Sequence, residues 1–116
     1  MMQSIAEGFE VLQKSEFHFD LTHIADVYNH GTVIESHLLY WLKKAFEEYG
    51  EKLETIPGNV SQTGEGQWTL DTGKKMKVQT PALQAAVAFR TESQITPSFT
   101  GQILSALRSQ FGGHKK

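Results

Sequence analysis

Residues 33–50 read VIESHLLYWLKKAFEEYG, and their spacing decides the fold class. Ile34, Leu38, Trp41, Leu42, Ala45 and Phe46 recur at intervals of three and four, the pattern of one apolar face on a helix. Gly50 stands where a glycine relieves the left-handed turn that closes many helices. A helix from about Val33 to Tyr49 is predicted.

Working outward, the same period continues on both sides. Met2, Ile5, Ala6, Phe9 and Leu12 place a helix over residues 1–15, closed by Lys14-Ser15. Nothing resembling an N-cap precedes Met1, so this helix reads as one already in progress. Asp20 is an N-cap for a short helix with Leu21, Ile24, Ala25, Val27 and Tyr28 as its apolar set, stopped by Asn29-His30-Gly31. Beyond Gly50, residues 51–67 hold Pro57, Gly58, Gly64 and Gly66 and show neither period, as an ordered loop or pair of turns would. A short helix over Trp68–Met76, interrupted by Gly73, comes next. Thr80-Pro81 then opens a helix running through Arg90. Ser98 caps a last helix whose face is Phe99, Ile103, Leu104, Leu107 and Phe111, ended by Gly112-Gly113. No stretch alternates with period two. The prediction is an all-α domain of six or so helices.

The composition agrees. A chain of 116 residues fits one domain, and its 39% hydrophobic content supports a packed core. Its formal net charge of −2 leaves no basic excess for gripping nucleic-acid phosphates. Lys74-Lys75-Met76-Lys77 and Lys115-Lys116 are too short to change that, so nucleic acid is not an expected partner. No cysteine is present, which excludes disulfides and thiolate metal sites. The densest apolar run, Leu38–Leu42, is far short of the roughly 20 residues that span a bilayer. No basic-then-apolar signal pattern opens the chain. A cytoplasmic domain with no membrane partner is expected.

The residues that carry chemistry are few. His23, His30 and His37 are seven apart, but Gly31 lies between them and no HExxH pattern is present, so no metal is expected. The loop Thr63-Gly64-Glu65-Gly66 follows no strand and lacks the GK[ST] ending of a phosphate cradle; on its own it reads as a tight turn. Arg90 ends the apolar run Ala85–Phe89, suited either to bind a phosphate or carboxylate with two parallel hydrogen bonds or to offset a helix dipole. Arg108 and His114 flank a helix stop and two glycines, which as a bare pattern is a frayed end. No catalytic triad or paired carboxylate can be assembled.

Three segments together resemble the C-terminal part of the 6-phosphogluconate dehydrogenase family. MMQSIAEGFE, residues 1–10, is similar to the stretch that follows the family's HNGIEYG motif. GEGQWT, residues 64–69, resembles its GxGxWT loop. Arg108–His114 resembles its Arg-x-x-Phe-Gly-x-His ending. The order and separations fit, and segments such as His30–Ile34 extend the likeness over the whole chain. The glycine loop departs from the longer branch of the family, carrying Thr63 and Glu65 where that branch has a lysine and a threonine. The likeness is to the compact branch, often NAD-linked.

The resemblance implies that residues 1–116 form the helical substrate-binding and dimerisation domain of an enzyme that oxidatively decarboxylates 6-phosphogluconate to ribulose 5-phosphate. NAD or NADP accepts the hydride, with no metal. The family's general base lysine, its general acid glutamate and its Rossmann cofactor domain all precede the position of Met1, so the domain is expected to be inactive by itself. Arg90 matches an arginine that contacts the substrate phosphate. Arg108 and His114 match tail residues that reach the partner subunit's site in a homodimer. Thr63 and Glu65 fall at substrate-holding positions, Glu65 being expected to face a hydroxyl, a cation or solvent. A domain of a related beta-hydroxyacid dehydrogenase, or a helical interaction module without catalysis, are the alternatives.

Overall fold

The computed structural model of the chain describes residues 1–112. Among the described residues there are six helices and no strand: α1 Met2–Lys14, α2 Leu21–Tyr28, α3 His37–Tyr49, α4 Glu65–Lys75, α5 Pro81–Ser93 and α6 Phe99–Phe111. The all-α prediction holds.

The periodic apolar faces converge on α6. Phe99, Ile103, Leu104, Ala106 and Leu107 of this helix are all buried, and α1 and α3 both pack against it. Helix α2 rests on α3 and touches α1. Phe9 of α1 joins the pieces, meeting Tyr28 edge-on at 6.1 Å between ring centroids and Phe46 at 5.9 Å. Such aromatic pairs add about 0.5–1.5 kcal/mol beyond the area they bury. Helices α4 and α5 pack on each other beside this cluster, which Phe89 of α5 touches. Leu70, Gly73 and Ser93 are their buried residues.

Two helices share one capping arrangement that no local pattern reveals. Asp20 accepts from His23 N–H at 3.1 Å, and Glu51, from beyond α3, accepts from Thr22 N–H at 3.0 Å. At the start of α6, Ser98 accepts from Gly101 N–H at 3.2 Å while Glu10 of α1 accepts from Thr100 N–H at 2.8 Å. In each case the N-cap side chain and a distant carboxylate satisfy adjacent N–H groups that the helix itself leaves open. The charge also suits the positive end of the helix dipole.

Burial pushes the Glu10 carboxyl up, but hydrogen bonds from Thr100 and the nearby Lys14 ammonium outweigh it and hold the group below its ordinary value. Its contribution to stability is therefore full above the unfolded pKa and is lost as pH falls through the lower folded pKa. Glu10→Gln should cost about 1 kcal/mol near neutral pH. Urea unfolding between neutral pH and pH 3 should show the gap between variant and parent narrowing toward acid; a constant gap would mean that the carboxylate charge is not what matters.

Several boundaries differ from the sequence reading. Helix α3 starts at His37, because the Ser36 hydroxyl caps Leu39 N–H at 3.4 Å. Ile34 is therefore outside the helix and exposed, and Leu39 rather than Leu38 is the fully buried residue of the first turn. Helix α4 begins three residues earlier than expected and runs through Gly73 without a break. A Cβ at Gly73 would make only an ordinary contact with the Thr80 methyl at 3.4 Å, so the packing there does not require a glycine. Helix α5 extends to Ser93, and Phe111 of α6 is half exposed rather than in the core.

Candidate functional site

The loop after α3 is what builds the site, and a polar stripe on α6 fixes that loop. Gln102 Nε2 donates to the carbonyls of Leu53 at 2.9 Å and Ile56 at 3.1 Å. One turn on, Ser105 Oγ donates to the Asn59 carbonyl at 2.9 Å. Another turn on, Arg108 Nη1 donates to Ser61 Oγ at 2.7 Å. The loop thus runs along α6 toward its C-terminal end, bonded at each turn. At the start of the stripe the two backbones nearly touch: a Cβ on Gly101 would lie 1.8 Å from the Gly58 carbonyl oxygen.

Past Ser61 the chain enters Gln62–Gly66 and turns into α4. Gly64 takes φ +103°, a left-handed conformation that L side chains rarely adopt. Gly66 faces α5, where a Cβ would come within 2.9 Å of Val87 Cγ2. These two glycines bring the loop against α5 at the level of Arg90.

A cavity of about 300 Å³ opens at this junction. Its polar wall is Gln62, Thr63, Glu65, Arg90 and Arg108, and Leu83, Val87 and Phe111 are among its apolar lining. The volume is at the small end for ligand sites. Thr63, Glu65, Arg90 and Arg108, four residues singled out from the sequence, are brought to one cavity. His114 lies outside the described residues.

The electrostatics favour an anion. Arg90 is half-buried, and Arg108 is only 7% exposed. Burial lowers the Arg90 pKa first, the neighbouring Arg108 charge lowers it further, and Glu65 acts in the opposite sense; the net direction is down. A guanidinium starting so high stays charged at any physiological pH. Two like charges placed together at reduced solvent exposure are a cost that a bound phosphate or carboxylate would remove. Glu65 faces a hydroxyl: Thr63 Oγ1 donates to its carboxylate, and its negative charge acts at a distance on Arg90.

Arg108, expected from the sequence in the partner subunit's site, lies in the body of α6 and lines the cavity of its own chain together with Arg90. Sequence reading missed Ser61 and Ser93, whose hydrogen bonds organise this region, and Gln62, which lines the cavity. A serine in an irregular loop carries no periodic signal, and its partner is 47 residues away.

Among the described residues, no group of three His, Asp or Glu side chains could hold a metal ion. His23, His30 and His37 are all exposed, and His30 Nδ1 lies 2.6 Å from the Asp26 carbonyl oxygen. No helix among the described residues is long and apolar enough to cross a membrane.

Comparison with known proteins bears on this cavity. The family described as "6-phosphogluconate dehydrogenase, C-terminal domain" matches residues 1–99. Over 114 residues the chain is 42% identical to YqeC of Bacillus subtilis (strain 168), provisionally named as a 6-phosphogluconate dehydrogenase; the alignment covers 98% of this chain and 38% of that protein. Over 115 residues it is 32% identical to an NAD(+)-dependent, decarboxylating 6-phosphogluconate dehydrogenase of Haloferax volcanii (strain DS2), covering 99% of this chain and 38% of that protein. The chain therefore spans 38% of the length of these curated relatives. The family match ends at the first residue of α6, while both relatives align across nearly the whole chain.

Proposed function

Because this chain belongs to the family of the 6-phosphogluconate dehydrogenase C-terminal domain, we propose that its cavity binds the phosphate end of 6-phosphogluconate for oxidative decarboxylation. The observation that carries the reading is the convergence of Arg90 and Arg108 on one small cavity beside the glycine loop. A phosphate accepts parallel hydrogen bonds from a guanidinium fork, and a carbohydrate chain has room against the apolar side of the cavity. Binding energy from this remote group orients the reacting carbon, which raises the rate of the chemical step rather than only the affinity.

The hydride acceptor is NAD or NADP, with NAD favoured by the name of the Haloferax volcanii relative. A dinucleotide needs a strand-to-helix glycine turn for its pyrophosphate. The described residues do not fit it: Gly64 and Gly66 open α4 from an irregular loop, and no strand precedes them. The general base and general acid that the resemblance implies are likewise not among residues 1–116. The domain is a substrate-binding and dimerisation unit, inactive by itself. A homodimer in which His114 serves the partner subunit's site, and action in the cytoplasm, belong to the same reading.

Titration of the full-length protein with 6-phosphogluconate and with gluconate, with its mass in solution tracked, tests the reading. The expected result is a dimer that binds the phosphorylated acid selectively and more weakly as salt rises. Equal affinity for gluconate would overturn the phosphate site and favour a related beta-hydroxyacid dehydrogenase.

A further inference from the structure

We propose that Ser61 and Ser93 are positioning residues that set the placement of the two cavity guanidiniums relative to each other. The inference rests on the phosphate-site reading above and adds the device that makes it selective.

The two arginines sit on different helices, and α5 is joined to the rest of the fold through few buried residues. Ser93 is its buried residue, 1% exposed. Its hydroxyl donates to the Arg90 carbonyl at 2.7 Å and accepts from Val60 N–H at 2.9 Å. Gln94 Nε2 donates to the Val60 carbonyl at 2.9 Å and to the Arg90 carbonyl at 3.4 Å. Both backbone polar groups of Val60, itself 1% exposed, are thus bound to the turn of α5 that carries Arg90. The next residue, Ser61, holds the Arg108 guanidinium.

One short path therefore runs from the Arg90 backbone through Ser93 to Val60 and Ser61, and ends at Arg108. A tilt of α5 changes the reach of Arg90, yet it also pulls on Val60 and carries Ser61 with it. The Arg108 fork then follows. Two cations that repel one another would otherwise drift apart; this path holds them where a single phosphate can engage both. Unlike Ser93, Ser61 is exposed, so its replacement leaves the core intact.

The test uses the full-length protein and calorimetric titration with 6-phosphogluconate and gluconate. Ser61→Ala should weaken 6-phosphogluconate about tenfold, the scale of one lost charge-assisted hydrogen bond, and leave gluconate affinity unchanged, with only a small fall in the thermal midpoint from the lost loop bond. Ser61→Thr, which keeps the acceptor oxygen, should restore affinity. Ser93→Ala should act in the same direction, and Ser93→Thr should recover part of the loss. The positioning role is overturned if Ser61→Ala binds both ligands like the parent, or weakens both equally without rescue by threonine. Arg90→Ala separates the two readings. If it abolishes selectivity while Ser61→Ala does nothing, the phosphate site stands and only the positioning inference fails. If Arg90→Ala also does nothing, both fail.

Discussion

Gly101→Ala should destabilise the fold by about 3 kcal/mol or more, a large part of the 5–15 kcal/mol that holds a domain together. Intrinsic propensity argues the other way, since alanine is favoured over glycine by about 1 kcal/mol inside a helix. Sterics win here because the new methyl would sit 1.8 Å from the Gly58 carbonyl oxygen. The obstacle is backbone, which cannot swing aside as a side chain can. Nor can the loop retreat cheaply, because Gln102, Ser105 and Arg108 bond it along α6. Gly8 provides the control. It lies inside α1 with nothing within 4 Å of where its Cβ would be, so Gly8→Ala should stabilise by about 0.5–1 kcal/mol. Urea unfolding of the two variants checks both signs. If they shift the midpoint alike, the close approach of α6 to the loop is not what fixes their relation.

Arg90→Ala should lower the affinity of the full-length protein for 6-phosphogluconate by about 100-fold, as expected for losing a bidentate, partly desolvated contact to a phosphate. Its effect on stability should be small, within about 1 kcal/mol: the favourable term from a cation at the end of α5 is lost, and so is the repulsion from Arg108. Arg108→Ala should differ. That side chain is 7% exposed and bonded to Ser61, so its removal should cost affinity and about 2 kcal/mol of stability together. Titration and unfolding of the two variants side by side distinguish a ligand contact from one that is also structural. A comparable loss of stability in both would show that Arg90, too, is mainly a packing residue.

Much of this fold could be read from the sequence because its helices are amphipathic in the ordinary sense. Phe9, Leu42 and Phe46 are buried where periodicity put them, and Asp20 and Ser98 cap where their chemistry suggested. The misreadings have local causes. Ile34 fits the period of α3, but the Ser36 hydroxyl caps the helix first and leaves Ile34 on the outside. Gly73 looked like a breaker, yet a helix already begun continues through one glycine at a cost of about 1 kcal/mol. Phe111 keeps the register of α6 but lines the cavity, where one side is open. Within the site, Arg90 could be picked out by its charge at the end of an apolar run, whereas Arg108 read as part of a frayed end and gained a role only from the family resemblance. Their juxtaposition could not, because it depends on the loop's course along α6, and that course is fixed by side chains with no periodic signature.

The bond between Glu10 and Thr100 joins residues 90 apart in the chain, and α6 is the surface on which α1 and α3 settle. A ribosome adding roughly 5–20 residues per second emits α1 on the order of ten seconds before the helix it must rest upon has even been made. Through that interval the apolar stripes of α1 and α3 wait in water or in the hands of a chaperone. For these residues the folded state can be born only once α6 has been made, and a message truncated before α6 would deliver a protein with nothing to close upon.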